Sequence, residues 1–204
     1  GGLTLHLGKT RLYPIQVAEK GVCWLRMRTR GKPGHGSVPH TDNAVYHLAE
    51  ALAKIQRAGH LPIHITPSFR AMMYSASKQI SFTGRLATQA MQSPRLVSLA
   101  IDRMRGPARN FLNALTTNTV SATMLQAGSK VNVLPSSAEV ALDCRLVPGQ
   151  TSADVMREIR AITGDEVELE VINSSGGAEF STDTPLYKIM EKATRKMDPG
   201  GIVI

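Results

Sequence analysis

Aromatic side chains make up only 4% of this chain, it holds two cysteines and one tryptophan, and no apolar run approaches the roughly 20 residues of a membrane-spanning helix. Each scarcity excludes something. Without aromatic-plus-basic strand motifs there is no stacking platform of the RNA-binding kind, and no recognition helix announces itself. The formal charge of +8 is spread along the chain rather than gathered in one stripe. It is read as attraction of anionic substrates, or as balance for an acidic remainder of a longer protein, and neither a nucleic-acid nor a membrane partner is expected. Cys23 and Cys144 lie far apart, each inside an apolar strand-like run. They read as buried, reduced thiols rather than a zinc knuckle or redox pair, which makes a reducing cytoplasm the expected compartment. There is no initiator Met and no charged-then-apolar leader. Gly1-Gly2-Leu3 reads as a cut into a longer chain, and Pro199 to Ile204 as a strand interrupted as it begins, so a fragment is expected.

Catalytic signatures are also missing. The histidines are His6, His35, His40, His47, His60 and His64. His60 and His64 are separated by Leu61-Pro62-Ile63, and a proline there argues against one helical turn presenting both. No His-Glu-x-x-His, no G-x-S-x-G elbow, no phosphate-cradling G-x-x-x-x-G-K-[ST] loop and no Cys–His pairing can be read. The expectation is therefore no metal site within this chain and no independent catalysis.

What is present is a well-patterned domain. Leu12 to Val17 and Gly21 to Thr29 are extended runs, the second alternating Cys23, Leu25 and Met27 against Trp24, Arg26 and Arg28. Glu19-Lys20-Gly21 reads as a turn or bulge between them. A breaker-dense loop, Gly31 to His40, follows. Val45, Leu48, Ala49, Leu52 and Ile55 then fall at helical spacing, with Thr41 or Asp42 as cap and Gly59 as stop. Residues 66–116 differ in texture, rich in Met, Ala, Ser and Gln and punctuated by Pro67, Pro94 and Pro107; two or three helices are expected, near 70–78, 94–104 and 107–115. Two strands, Asn118 to Ala127 and Ala138 to Val147, precede a helix capped by Thr151 or Ser152 and a strand from Glu166 to Asn173. Ser174 to Gly177 is a linker, and Thr184 caps a last helix through Lys196 that belongs to another, mostly absent domain. Without residues 66–116 the order is β-α-β-β-α-β, which predicts an α+β, ferredoxin-like antiparallel sheet with two helices on one face. The expected division is 1–18, then 19–174 with 66–116 as a helical insertion, then 175–204.

Three features can carry chemistry. Gly34-His35-Gly36-Ser37 stands before a helix, with glycines that let the backbone approach a ligand; the same loop could be a tight turn with a solvated imidazole. Asn132, polar between Val131 and Val133, is either a turn-stabilising amide or a ligand contact. Arg145 shares a strand face with Asp143, and its fork suits either a substrate carboxylate or a structural ion pair.

Taken in order, Val17-Ala18-Glu19-Lys20-Gly21, Gly31-x-Pro33-Gly34-His35-Gly36-Ser37-x-Pro39, Asn43-Ala44-Val45, Ser121-Ala122-Thr123, Gly128-x-Lys130-Val131-Asn132-Val133-Leu134-Pro135 and Asp143-x-Arg145-x-x-Pro148-Gly149 resemble the aminoacylase and carboxypeptidase family of dizinc hydrolases, peptidase family M-twenty. The resemblance implies a lid, or dimerisation, domain inserted into a catalytic domain that holds two zinc ions, none of them bound by this stretch. It implies a homodimer made through the lid, and hydrolysis of the amide bond of a peptide or N-acyl amino acid. It assigns His35 to the oxyanion of the partner subunit's active site, Asn132 to the neighbourhood of the substrate, and Arg145 to the substrate's carboxylate. The segment 66–116 departs from the shortest lids. The alternative reading is a non-catalytic, ferredoxin-like module for self-association or small-ligand binding.

Overall fold

A computed structural model describes residues 4–7, 10–77 and 82–204. The reading of Gly1-Gly2-Leu3 and the end of the helix expected at 70–78 lie outside those residues. In chain order the elements are β1 (Leu5–Leu7), β2 (Thr10–Tyr13), β3 (Ala18–Glu19), β4 (Gly21–Arg30), β5 (Gly34–His35), α1 (Ala44–Ala58), α2 (Pro67–Ser77), α3 (Phe82–Ala90), α4 (Pro94–Arg103), α5 (Pro107–Thr116), β6 (Thr119–Ala127), β7 (Val133–Leu134), β8 (Ser137–Leu146), α6 (Ser152–Thr163), β9 (Glu168–Ser175), β10 (Ala178–Glu179), α7 (Pro185–Met197) and β11 (Ile202–Val203). They fall into two compact units, one of residues 20–62 and 117–177, the other of 1–19, 63–116 and 178–204.

The first unit is an antiparallel sheet in the order β6-β8-β4-β9. Its two central strands, β4 and β8, come from the two separate stretches of the unit's sequence, and the period-2 pattern explains why they are central. Cys23, Leu25, Met27 and Thr29 alternate inward on β4, facing Ala138, Val140, Leu142, Cys144 and Leu146 of β8, all of them buried. Ala44, Leu48 and Ala51 of α1 and Val155 and Ile159 of α6 close the same core. The opposite face carries an ion ladder instead, with Arg26 reaching Glu170 at 2.9 Å, Arg28 reaching Glu139 at 3.0 Å and Arg30 reaching Glu168 at 2.6 Å.

The helix ends follow local chemistry. Asn43, rather than Thr41 or Asp42, caps α1, its side-chain oxygen accepting from the Val45 N–H at 2.9 Å. Thr151 caps α6 with a reciprocal bond to Asp154, and Gly59 and Gly164 take positive φ at the two C-caps.

In the second unit β2 is flanked by β1 and, in parallel, by β11, so the terminal Ile202–Val203 completes a strand and is buried. The helical segment was expected within the sheet domain. It packs instead with the terminal pieces, leaving and returning at one place, where the His64 N–H donates to the Thr116 carbonyl at 2.6 Å. The Ser68 N–H donates to Glu179 Oε1 at 2.6 Å, which ties the start of α2 to β10. That segment also holds α3, a helix that was not expected.

Candidate functional site

The loop after β4 and the loop before β8 leave the sheet at the same end, since Arg30 pairs with Ser137 in the β4–β8 register. There they meet. Gly34 pairs with Leu134 and His35 with Val133, and the Gly36 N–H donates to the Asn132 carbonyl at 2.8 Å. This two-residue ladder brings His35 and Asn132, almost a hundred residues apart in sequence, onto one exposed tip. Gly34 packs closely on the side chains beneath, where a Cβ would lie 3.1 Å from His40 Nε2, so that imidazole would have to give by a few tenths of an ångström, and 3.5 Å from Leu134 Cδ1, an ordinary contact.

Ser37, which the sequence reading passed over, sets the state of His35. The Ser37 backbone N–H donates to His35 Nδ1 at 3.2 Å, and the Ser37 hydroxyl lies 2.7 Å from the same nitrogen. A nitrogen that accepts from an N–H carries no proton of its own, so the network assigns the neutral ring's proton to Nε2. The imidazole thus presents an N–H donor outward from a loop anchored at both ends. The signal available in sequence was a hydroxyl residue two positions after the histidine, the spacing of a local side-chain-to-backbone turn.

Arg145 is elsewhere. It pairs with Val22 on β4 and Thr119 on β6, at the opposite end of the sheet. Eight residues of β4 separate Val22 from Arg30, so roughly 26 Å of strand lies between Arg145 and the end that carries His35. Its guanidinium makes one aligned hydrogen bond, Nη2 to Asp143 Oδ2 at 3.0 Å, while Nε lies 3.0 Å from Oδ1. That second contact is an ion pair without hydrogen-bond alignment, and it leaves Oδ1 buried and unsatisfied. The structural ion pair weighed for Arg145 is therefore present, and it occupies only part of the fork.

Lys20 stands beside Arg145. Its ammonium donates to the carbonyl of Thr117 at 2.7 Å, two residues before Thr119, which faces Arg145 across the β6–β8 pair. The turn reading of Glu19-Lys20-Gly21 missed it. Strand parity was the signal, because Lys20 and Val22 share a face and Val22 is opposite Arg145.

Among the described residues no three His, Cys, Asp or Glu side chains gather to hold a metal ion. Among the described residues the donor set therefore does not fit a dizinc centre, and no catalytic step is routed through one here. No described helix is long and apolar enough to cross a membrane.

Comparison with known proteins bears on the whole arrangement. The chain is 25% identical over 190 residues to the mouse N-fatty-acyl-amino acid synthase/hydrolase PM20D1, covering 91% of this chain and 37% of that protein. It is 22% identical over 193 residues to the acetylornithine deacetylase of Myxococcus xanthus, covering 91% and 40%. It spans well under half the length of these curated relatives. In fold it resembles the M20 family metallo-carboxypeptidase of Sulfolobus solfataricus, with a TM-score of 0.51, 16% identity, and 92% of this chain on 52% of that one. Human carnosine dipeptidase 1 is similar at a TM-score of 0.52 and 12% identity, covering 93% and 44%. Residues 17–169 match the family described as the peptidase dimerisation domain, and with that match running over most of its length the chain belongs to the dimerisation domains of the M20 peptidases.

Proposed function

We propose that this chain is the lid of a zinc-dependent amidohydrolase that cleaves a peptide or N-acyl amino acid, and that His35 acts in trans on the partner subunit's substrate. The observation that carries the proposal is the Ser37 N–H on His35 Nδ1, which leaves Nε2–H as an outward donor. A neutral imidazole held this way donates to the oxygen that gains charge when an amide carbonyl is attacked, and a preorganised donor at that point contributes about 3–4 kcal/mol to transition-state stabilisation. Asn132 shares the tip and adds a polar contact to the same substrate, while Arg145 grips the substrate's carboxylate. The relatives named for N-acyl amino acids, the mouse synthase/hydrolase and the bacterial deacetylase, favour a substrate that ends in a carboxylate.

Geometry favours the trans arrangement. Two side chains based roughly 26 Å apart on one sheet cannot both touch one small substrate, so a site that uses both draws them from two copies. The edge strand β6 suits self-pairing. It has no charged residue from Thr119 to Ala127 and exposes Met124 and Leu125, whereas the other edge, β9, carries Glu168 and Glu170. The two zinc ions and the residues that hold them belong, in this proposal, to the rest of the whole protein. A reducing, cytoplasmic setting is part of the same proposal, in keeping with two buried free thiols.

In the full-length, zinc-loaded enzyme, His35→Ala is expected to lower kcat about 10²–10³-fold with KM and zinc content little changed. Wild-type turnover in that variant would refute the role given to His35.

A further inference from the structure

We propose that His40 is a positioning residue for His35: its imidazole is the wedge beside Gly34 that holds the tip where the Nε2–H of His35 meets the substrate. The inference rests on the role given to His35 and extends it.

The chain between β4 and α1 doubles back on itself. At its base the Lys32 N–H donates to the Asp42 carbonyl at 2.9 Å, which ties the outgoing limb to the returning one. Gly34 stands two residues beyond that tie, and His40 two residues before it on the way back. The outgoing limb pairs with Val133 and Leu134, but a ladder of two residues is a weak hold by itself. His40 supplies further support. The direction in which Gly34 would carry a side chain points at the ring, with Nε2 3.1 Å and Cδ2 3.6 Å from an added Cβ. The imidazole therefore fills the space that the glycine leaves, next to His35 in the chain.

Packing, not polar contact, keeps the ring there. Both of its nitrogens are buried, and neither has a hydrogen-bond partner among the described residues. A polar group so placed loses its hydration and gains no bond in return, which costs stability. What the position uses is then the shape of a flat ring, and a phenyl ring of the same thickness is expected to serve.

The contact bears on chemistry through distance. A donor stabilises an oxyanion only within hydrogen-bond reach of the developing charge, and a displacement of about 1 Å costs up to about a hundredfold in rate. The Ser37 N–H sets which nitrogen of His35 carries the proton. His40 sets where that nitrogen stands.

The test uses the full-length, zinc-loaded enzyme and a panel of N-acetyl amino acids. His40→Ala is expected to lower kcat about tenfold or more, with KM and zinc content little changed. His40→Phe is expected to keep kcat within about twofold and, with no nitrogen left unpartnered, to melt higher. In the His35→Ala background, His40→Ala is expected to lower kcat no further, because a residue that acts through His35 then has nothing to position. A general weakening of the fold would lower activity there as well. Gly34→Ala is the reciprocal change, since its methyl meets the ring in the wild type and enters the space left in His40→Ala. It is expected to lower kcat about threefold in the first background and to raise it in the second. Should His40→Ala not fold, Gly34→Ala decides alone, because its loss of kcat must likewise vanish in the His35→Ala background. If His40→Phe lost as much kcat as His40→Ala, or if His40→Ala lowered kcat equally with and without His35, the inference about His40 would be overturned and the role of His35 would stand. Wild-type turnover in His35→Ala would remove that role and this inference with it. A full-length protein that hydrolysed no member of the panel would overturn the amidohydrolase reading and everything that rests on it.

Discussion

At the scale of single residues, the tip that carries His35 depends on what is small. Gly31 ends the run of β4, and a Cβ there would lie 2.3 Å from the Ala44 nitrogen and 2.9 Å from the Asn43 carbon. Those are backbone atoms at the start of α1, and the Lys32 N–H bonds to the Asp42 carbonyl at 2.9 Å across the same approach, so they cannot step aside. Gly31→Ala is therefore expected to force the helix off the strand, at a cost of about 1–3 kcal/mol or more, and denaturant titration of the full-length protein reads it as a lowered midpoint. The exposed loop around His35 was legible in the sequence, because glycines on both sides of an imidazole mark a place where the backbone is kept clear. The neighbour that fixes the tautomer of His35 was not, since a serine two residues on has several local partners to choose from. Nor was Lys20. A lysine between two strand runs reads as a turn until the register shows which face it shares with Arg145.

Elements were the most legible level, and they failed where a signal was weak. Alternation placed β4 and β8 correctly because a one-residue slip would have turned Cys23, Leu25 and Met27 to the ion-ladder face. Helix α3 was missed because Gly84, inside its first turn, reads as a breaker. Helix α6 shows the opposite case, a boundary written plainly in Thr151 and Asp154. The Thr151 hydroxyl accepts from the Asp154 N–H at 3.3 Å, and Asp154 Oδ2 accepts from the Thr151 N–H at 2.9 Å. Hydrogen bonds from the Thr151 side chain and backbone, aided by Arg157, hold the Asp154 carboxyl below its ordinary range. A carboxyl depressed in the folded state stabilises above its unfolded pKa, and that contribution is lost as pH falls through the folded value. Thr151→Ala is thus expected to cost about 1 kcal/mol at neutral pH. The gap between variant and wild type should narrow in acid, below the ordinary carboxyl range near pH 4, and thermal melts across pH 2–7 check both parts. A gap of constant size down to pH 2 would mean that the Asp154 half of the box contributes nothing.

The whole molecule was the least legible level, because its organisation rests on contacts between distant stretches. Nothing in residues 66–116 announces that they pack with the chain's terminal pieces rather than with the sheet that encloses them in sequence. The separation of His35 from Arg145 is likewise invisible until the strands are in register, yet it carries the sharpest test of how two copies cooperate. Suppose one site takes Arg145 from one subunit and His35 from the other. In a heterodimer of His35→Ala with Arg145→Ala, both lesions then fall in a single site and the second site is intact. Random exchange makes about half of all dimers mixed, each with one working site of two, so roughly a quarter of wild-type activity should return on mixing two nearly inactive variants. Assayed below KM, where loss of the carboxylate grip is fully felt, each variant alone should remain near background. If both residues served the same subunit's site, every site in the mixture would carry a lesion, and no recovery would follow however long the subunits exchanged. The outcome thus separates two uses of one sheet: a strut that holds two chemical groups apart within a chain, and a bridge that delivers each to a different substrate.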